Sequence, residues 1–131
     1  MRKEEKKIRQ AAEKQLHFLG LAEQAHVPAG SLPLGSQRML EIARAMALEP
    51  KLLLLDEPAS GLNARETIAM GELIEKIKQM NISVLLVEHD MDLVMEISDR
   101  VAVINFGRLI AEGTPAEIQA NEDVIAAYLG E

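Results

Sequence analysis

A chain of 131 residues suits one domain, and at that length folding removes roughly two-thirds of the surface an extended chain exposes. Hydrophobic residues at 48% and charged residues at 27% exclude a disordered chain, while 2% aromatics leave a core of Leu, Ile, Val, Ala and Met. A formal charge of −7 excludes non-specific nucleic-acid affinity, which needs clustered Lys and Arg, and zero cysteines exclude disulfides and thiolate metal sites.

The cation-rich stretch Met1 to Lys14 also carries Glu4, Glu5 and Glu13, so it reads as a solvated helix face. Apolar runs such as Leu52–Leu55 and Val84–Val87 fall far short of the about 18 residues that span a bilayer, and no signal-peptide pattern opens the chain. A membrane role is therefore expected only through a partner, with the chain itself in the cytoplasm.

From Glu4 to Leu19 apolar residues recur at Ile8, Ala11, Ala12, Leu16 and Leu19, the spacing of one helical face, and Gly20 closes that helix. Ala22 to Gly35 holds two prolines and two glycines, a loop before a helix expected from about Ser36 to Leu48 and stopped by Pro50. Lys51 to Asp56 is an aliphatic run ending in acid, as in a parallel strand covered on both faces. Asn63 and Glu66 form a capping-box pattern ahead of a helix face of Ile68, Leu73, Ile74 and Ile77. Ile82 to Val87 is a second buried strand, Asp90 caps a short helix with Leu93, Val94 and Ile97, and Val101 to Asn105 is a third strand. Phe106-Gly107 turns the chain into Arg108–Ala111; Thr114-Pro115-Ala116-Glu117 starts a helix, and Asn121 opens a last one that Gly130 ends. The order implies an α/β sandwich with a mainly parallel sheet over residues 51–131 and a helical piece over residues 1–50.

In open α/β sheets ligands gather beyond the carboxyl ends of strands, where Asp56-Glu57 and Glu88-His89-Asp90 stand. Two carboxylate-bearing strand tips and an imidazole suit magnesium and a phosphate ester: Asp56 for the cation, Glu57 to orient water, His89 as donor to the transferred group. The residues alone leave other roles open, since an acid after a strand also serves as a cap and a lone histidine is usually structural.

Leu52-Leu53-Leu54-Leu55-Asp56-Glu57-Pro58-Ala59-Ser60-Gly61-Leu62-Asn63 resembles the Walker B strand and D-loop of ABC-transporter ATPases. Val87-Glu88-His89-Asp90 is similar to their switch histidine, Arg38 to Met46 to the helix after their signature loop, and Gly113 to Ile118 to their C-terminal region. The wording of Glu88 to Val94 and the ending Ala127-Tyr128-Leu129-Gly130 resemble branched-chain amino-acid importer subunits most. The resemblance implies part of a P-loop NTPase sandwich with part of its helical subdomain. It implies ATP as ligand, Mg2+ held through Asp56, water polarised by Glu57 and γ-phosphate sensed by His89. Gly35, Ser36 and Gln37 of the signature segment and Ser60, Gly61, Leu62 and Asn63 of the D-loop would face nucleotide. The implied partners are a second ATPase subunit, head to tail, and transmembrane permease subunits that hold the protein on the inner face of the membrane.

Two departures stand out. In Leu32-Pro33-Leu34-Gly35-Ser36-Gln37 a proline replaces the usual serine, which removes a hydroxyl and a backbone N–H. Gly30 and Gly35 have Walker A spacing, but Ser36-Gln37 follows instead of Lys-Ser/Thr, so the residues given carry no phosphate cradle. The Walker A strand, the adenine-stacking aromatic and the glutamine loop would lie upstream of residue 1. The chain alone is therefore expected to be inactive and, lacking an interior strand of the implied sheet, to self-associate. The alternative is a truncated, non-catalytic module that binds transporter subunits without hydrolysing ATP, and a third reading makes Asp56, Glu88, His89 and Asp90 a metal-dependent hydrolase site.

Overall fold

The computed structural model describes residues 2–129. The chain divides into two compact units, 1–87 and 88–131, and the helical piece expected over residues 1–50 lies wholly in the first.

In the first unit α1 (Lys3–Phe18) buries none of its residues, in keeping with its dense charge. It ends where Gly20 turns left-handed (φ 72°): the Gly20 and Leu21 amides donate back to His17 and Leu16, closing the last turn as a Schellman motif does. The expected loop contains two short 3-10 turns, Ala22–Gln24 and Ala29–Ser31. Helix α2 (Leu34–Met46) begins two residues before the expected Ser36, because the Pro33 carbonyl already accepts from the Gln37 amide. It also ends before Leu48. The Leu48 and Glu49 amides tighten onto Ala45 and Met46, and Glu49, held out of the right-handed region ahead of Pro50, sits at φ 51°.

Strand β1 (Leu52–Asp56) and strand β2 (Ser83–Val87) pair in parallel, Leu52 opposite Ser83 through Asp56 opposite Val87. A parallel pair needs a long crossover, here α3 (Ala64–Gln79). Its start is fixed reciprocally: the Glu66 amide donates to the Asn63 side chain and the Asn63 amide to the Glu66 carboxylate. Its buried stripe is Met70, Gly71, Leu73, Ile74 and Ile77. Ile68, expected on that face, is 60% exposed; the helical repeat brings Met70 to the core in its place.

The expectation of two covered faces is corrected. Leu53 is buried on one face of the pair, whereas on the other Leu52, Leu54, Leu85 and Val87 are 54–65% exposed. Within the first unit no described element lies over that face closely enough to bury it.

In the second unit Asp90 caps α4 (Met91–Ile97) by accepting from the Leu93 amide. Strands β3 (Val101–Asn105) and β4 (Arg108–Gly113) form an antiparallel hairpin with an irregularity between Val103 and Ile104. Its two-residue tip has Phe106 at φ 47° and Gly107 at φ 75°, the double left-handed turn that matches strand twist. Thr114 and Glu117 form the second capping box, starting α5 (Pro115–Ala120) with Pro115 in its first turn. Asn121 caps α6 (Glu122–Val124), which passes into a π-turn over Ile125–Leu129; the end expected at Gly130 lies outside the described residues. The Tyr128 hydroxyl donates to the Ile104 carbonyl, tying this end to the hairpin over a core of Val94, Val101, Val103, Ile118 and Val124.

Ile77→Ala should lower stability by about 2–5 kcal/mol, since a fully buried aliphatic group leaves a cavity, whereas exposed Ile68→Ala should stay within about 0.5 kcal/mol. Urea unfolding of the two variants beside the parent measures both.

Candidate nucleotide site

The sequence-derived residues of the first unit converge on three short segments. Asp56 ends β1, and the β1–β2 ladder continues one step past it: the Glu57 amide donates to the Val87 carbonyl at 2.8 Å. Glu57 takes φ 47°, a left-handed conformation that costs a non-glycine residue about 1–2 kcal/mol. The turn this forces lifts the chain off the strand, and both acidic side chains are exposed at its tip.

Two successive turns follow, with Ser60 N–H donating to the Glu57 carbonyl and Leu62 N–H to that of Ala59. Ser60 and Gly61 are exposed, Leu62 is half-buried, and Gly61 sits at φ 78°. The Asn63 side-chain oxygen is engaged by the Glu66 amide and so serves first as the cap of α3.

The third segment is the start of α2. Pro33 stands at the N-cap and offers no side-chain acceptor to the first turn, where serine would. Gly35 is buried and Ser36 half-buried. The Gln37 side-chain amide donates to the Leu32 carbonyl at 2.9 Å, so it staples the preceding loop to the helix. The apparent Walker A spacing has no structural counterpart: Gly30 lies in a 3-10 turn and Gly35 inside α2, with no strand leading into either.

The second and third segments touch. A Cβ on Gly61 would stand 2.9 Å from Leu34 Cδ2, and one on Gly35 would stand 3.1 Å from the Glu66 carboxylate. Sequence reasoning recognised Glu66 only as a capping residue, because its contact with Gly35 joins positions 31 apart in the chain and leaves no local pattern. Between α2 and β1 lies a cleft of about 190 Å³ with Arg38, Glu41 and Ile42 on one side and Leu54 and Asp56 on the other. Ordinary small-molecule pockets hold about 300–1,000 Å³.

His89 belongs to the second unit, at its start and exposed. Its neighbours are engaged with the backbone: the Glu88 carboxylate accepts from the His89 and Asp90 amides at 3.1 and 3.3 Å, and Asp90 caps α4. Two of the four groups in the metal-hydrolase reading therefore have structural work that explains their position. Among the described residues no three acidic or histidine side chains gather as a metal shell, and no helix is long and apolar enough to cross a membrane.

The family described as "ABC transporter" matches residues 1–60, and that described as "Branched-chain amino acid ATP-binding cassette transporter" matches residues 108–131. The chain belongs to the ABC-transporter ATP-binding family. It is 54% identical over 117 residues to the high-affinity branched-chain amino acid transport ATP-binding protein LivG of Salmonella typhimurium, covering 88% of this chain and 46% of that protein. It is 53% identical over 127 residues to BraF of Pseudomonas aeruginosa, named for the same transport, covering 94% of this chain and 50% of that one. A solved ATP-binding cassette of an ABC transporter in its ADP conformation shares the fold at a TM-score of 0.84 and 30% identity, covering 93% of this chain and 50% of that structure. The chain thus spans about half the length of the curated relatives it matches.

The close fit of the second and third segments gives a stability prediction. Gly61→Ala should cost about 1–2 kcal/mol because it meets both a left-handed backbone and Leu34, whereas Gly30→Ala, with open space around it, should be neutral or stabilise by about 0.4–1 kcal/mol. Thermal unfolding of the pair tests this.

Proposed function

We propose that this chain supplies the metal-holding, water-orienting and signature segments of the ATPase of a branched-chain amino-acid importer. The observation that carries the reading is the 53–54% identity to LivG and BraF across a chain whose Asp56-Glu57 tip is exposed beyond a strand end. ATP and Mg2+ are its proposed ligands, with a second ATPase subunit and membrane permease subunits as partners at the inner face of the membrane.

The donor chemistry fits. An exposed carboxylate at a strand tip is a hard oxygen ligand of the kind magnesium takes singly, leaving its other positions to water and phosphate oxygens. Bound there, the ion would supply positive charge against the phosphates. Glu57, one residue on and turned away from the strand, is a carboxylate free of the strand's period and suited to orient a water and accept its proton. His89 would donate to the terminal phosphate, and the α2 start with the Ser60–Asn63 turn would face a nucleotide held by the other subunit.

Completing the cassette with the upstream half of the Salmonella relative tests these assignments. Glu57→Gln should reduce ATP turnover by at least about 100-fold with nucleotide affinity kept, because only proton transfer and water orientation are removed. Loss of binding with turnover in proportion would refute the assigned role.

A second reading, a module that binds transporter subunits without hydrolysing ATP, is favoured by one observation: the uncovered aliphatic face of β1 and β2. Parallel strands are ordinarily covered on both faces, so this one favours association. The 131-residue chain by itself should therefore self-associate at tens of micromolar; light scattering that returned a 14.4 kDa species with cooperative unfolding would refute this.

A further inference from the structure

Glu66 has two clients. Its Oε2 accepts from the Asn63 amide at 3.0 Å, which closes the α3 capping box. Its Oε1 and Cδ lie 3.1 Å from where a Cβ on Gly35 would be, so the rest of the carboxylate rests on the first turn of α2. That turn begins after Pro33 without a side-chain cap, and the first amides of a helix have no acceptor within it. A carboxylate at this position supplies negative charge where the helix backbone is positive.

The contact is matched by a second running the other way. Leu34, the first residue of α2, reaches Gly61 in the turn after β1, as closely as Glu66 reaches Gly35 from α3. Each segment offers a glycine where the other offers a side chain. Both fits join the start of α2 to the stretch from Gly61 to Glu66.

We propose that Glu66 is a positioning residue that ties the first turn of α2 to the Ser60–Asn63 turn, so that these two segments move as one body. The proposal rests on the reading above, in which both segments face nucleotide. A residue that merely capped α3 would hold Asn63 to Thr67 and leave the start of α2 alone.

Hydrogen exchange on the 131-residue chain separates the two roles. Glu66→Ala should speed exchange about tenfold both at Leu62–Thr67 and at the amides of Gly35–Gln37, with Ile74 and Ile77 unchanged. Acceleration confined to Leu62–Thr67 would overturn the proposal. Gly35→Ala should also loosen both segments, and Gly35→Ala combined with Glu66→Ala should exchange more slowly than the sum of the two effects, because the clash is gone; strict additivity would overturn it as well. In the completed cassette, Glu66→Ala should lower kcat about tenfold with KM for ATP held within about twofold, and an equal rise in KM at unchanged kcat would count against it. A completed cassette without ATPase activity would remove the functional reading while leaving the exchange result to decide the coupling.

Discussion

The hydrogen bond from the Glu57 amide to the Val87 carbonyl fixes more of this molecule than its single contribution to stability would indicate. It is the last rung of a parallel ladder, and the residue that donates it also opens a turn by accepting from the Ser60 amide. Because the rung holds the Glu57 nitrogen in line with β2 while its φ of 47° redirects the chain, Asp56 remains a strand residue and Glu57 does not. Two adjacent acids thereby acquire different orientations. The turn then has six residues in which to reach the α3 cap at Asn63, and within that span Gly61 must be left-handed and pressed on Leu34.

A left-handed glutamate is a local cost that the surrounding bonds must sustain. Pro58 and Ala59 are buried directly after it, and the Ser60 amide returns to the Glu57 carbonyl, so the strained residue is bonded on both sides. Such conformations persist where neighbouring structure over-determines them, and they concentrate at functional sites. Here the conformation itself has a plain use: it moves a carboxylate out of the alternation of β1.

Much of this was legible in the sequence, wherever the signal was local. Asn63 with Glu66, Thr114 with Glu117 and Asp90 before Leu93 read as caps and are caps, since the donor and acceptor lie within one turn. Phe106-Gly107 read as a turn because a glycine between two extended runs demands one. What was not legible depends on distant partners or on small energy differences. The α2 start shifted by two residues because Pro33 supplies a carbonyl to Gln37, a choice that proline's lack of an N–H does not reveal. Ile68 lost its expected place to Met70 because six residues separate it from Ile74, about 120° round the helix, whereas Met70 lies four residues before Ile74 on the same face. Gly35 and Gly61 read as loop glycines of a signature and a D-loop; that each faces a side chain from the other's neighbourhood emerges only when the start of α2 meets Gly61 and Glu66.

The uncovered face of the parallel pair bears on the chemistry as well as on association. Along β1 the side chains alternate, so Leu52, Leu54 and Asp56 share one face, and the register puts Leu85 beside Leu54 and Val87 beside Asp56. The proposed metal ligand therefore stands at the end of the same aliphatic row that remains exposed. A surface that covered Leu54, Leu85 and Val87 would also exclude water from one side of Asp56. With less water, the attraction between that carboxylate and a divalent cation is screened less, since Coulomb energy scales inversely with the effective dielectric. Covering the row would thus strengthen the hold of Asp56 on any cation bound at its end, so that burial and cation affinity would be coupled through a single surface.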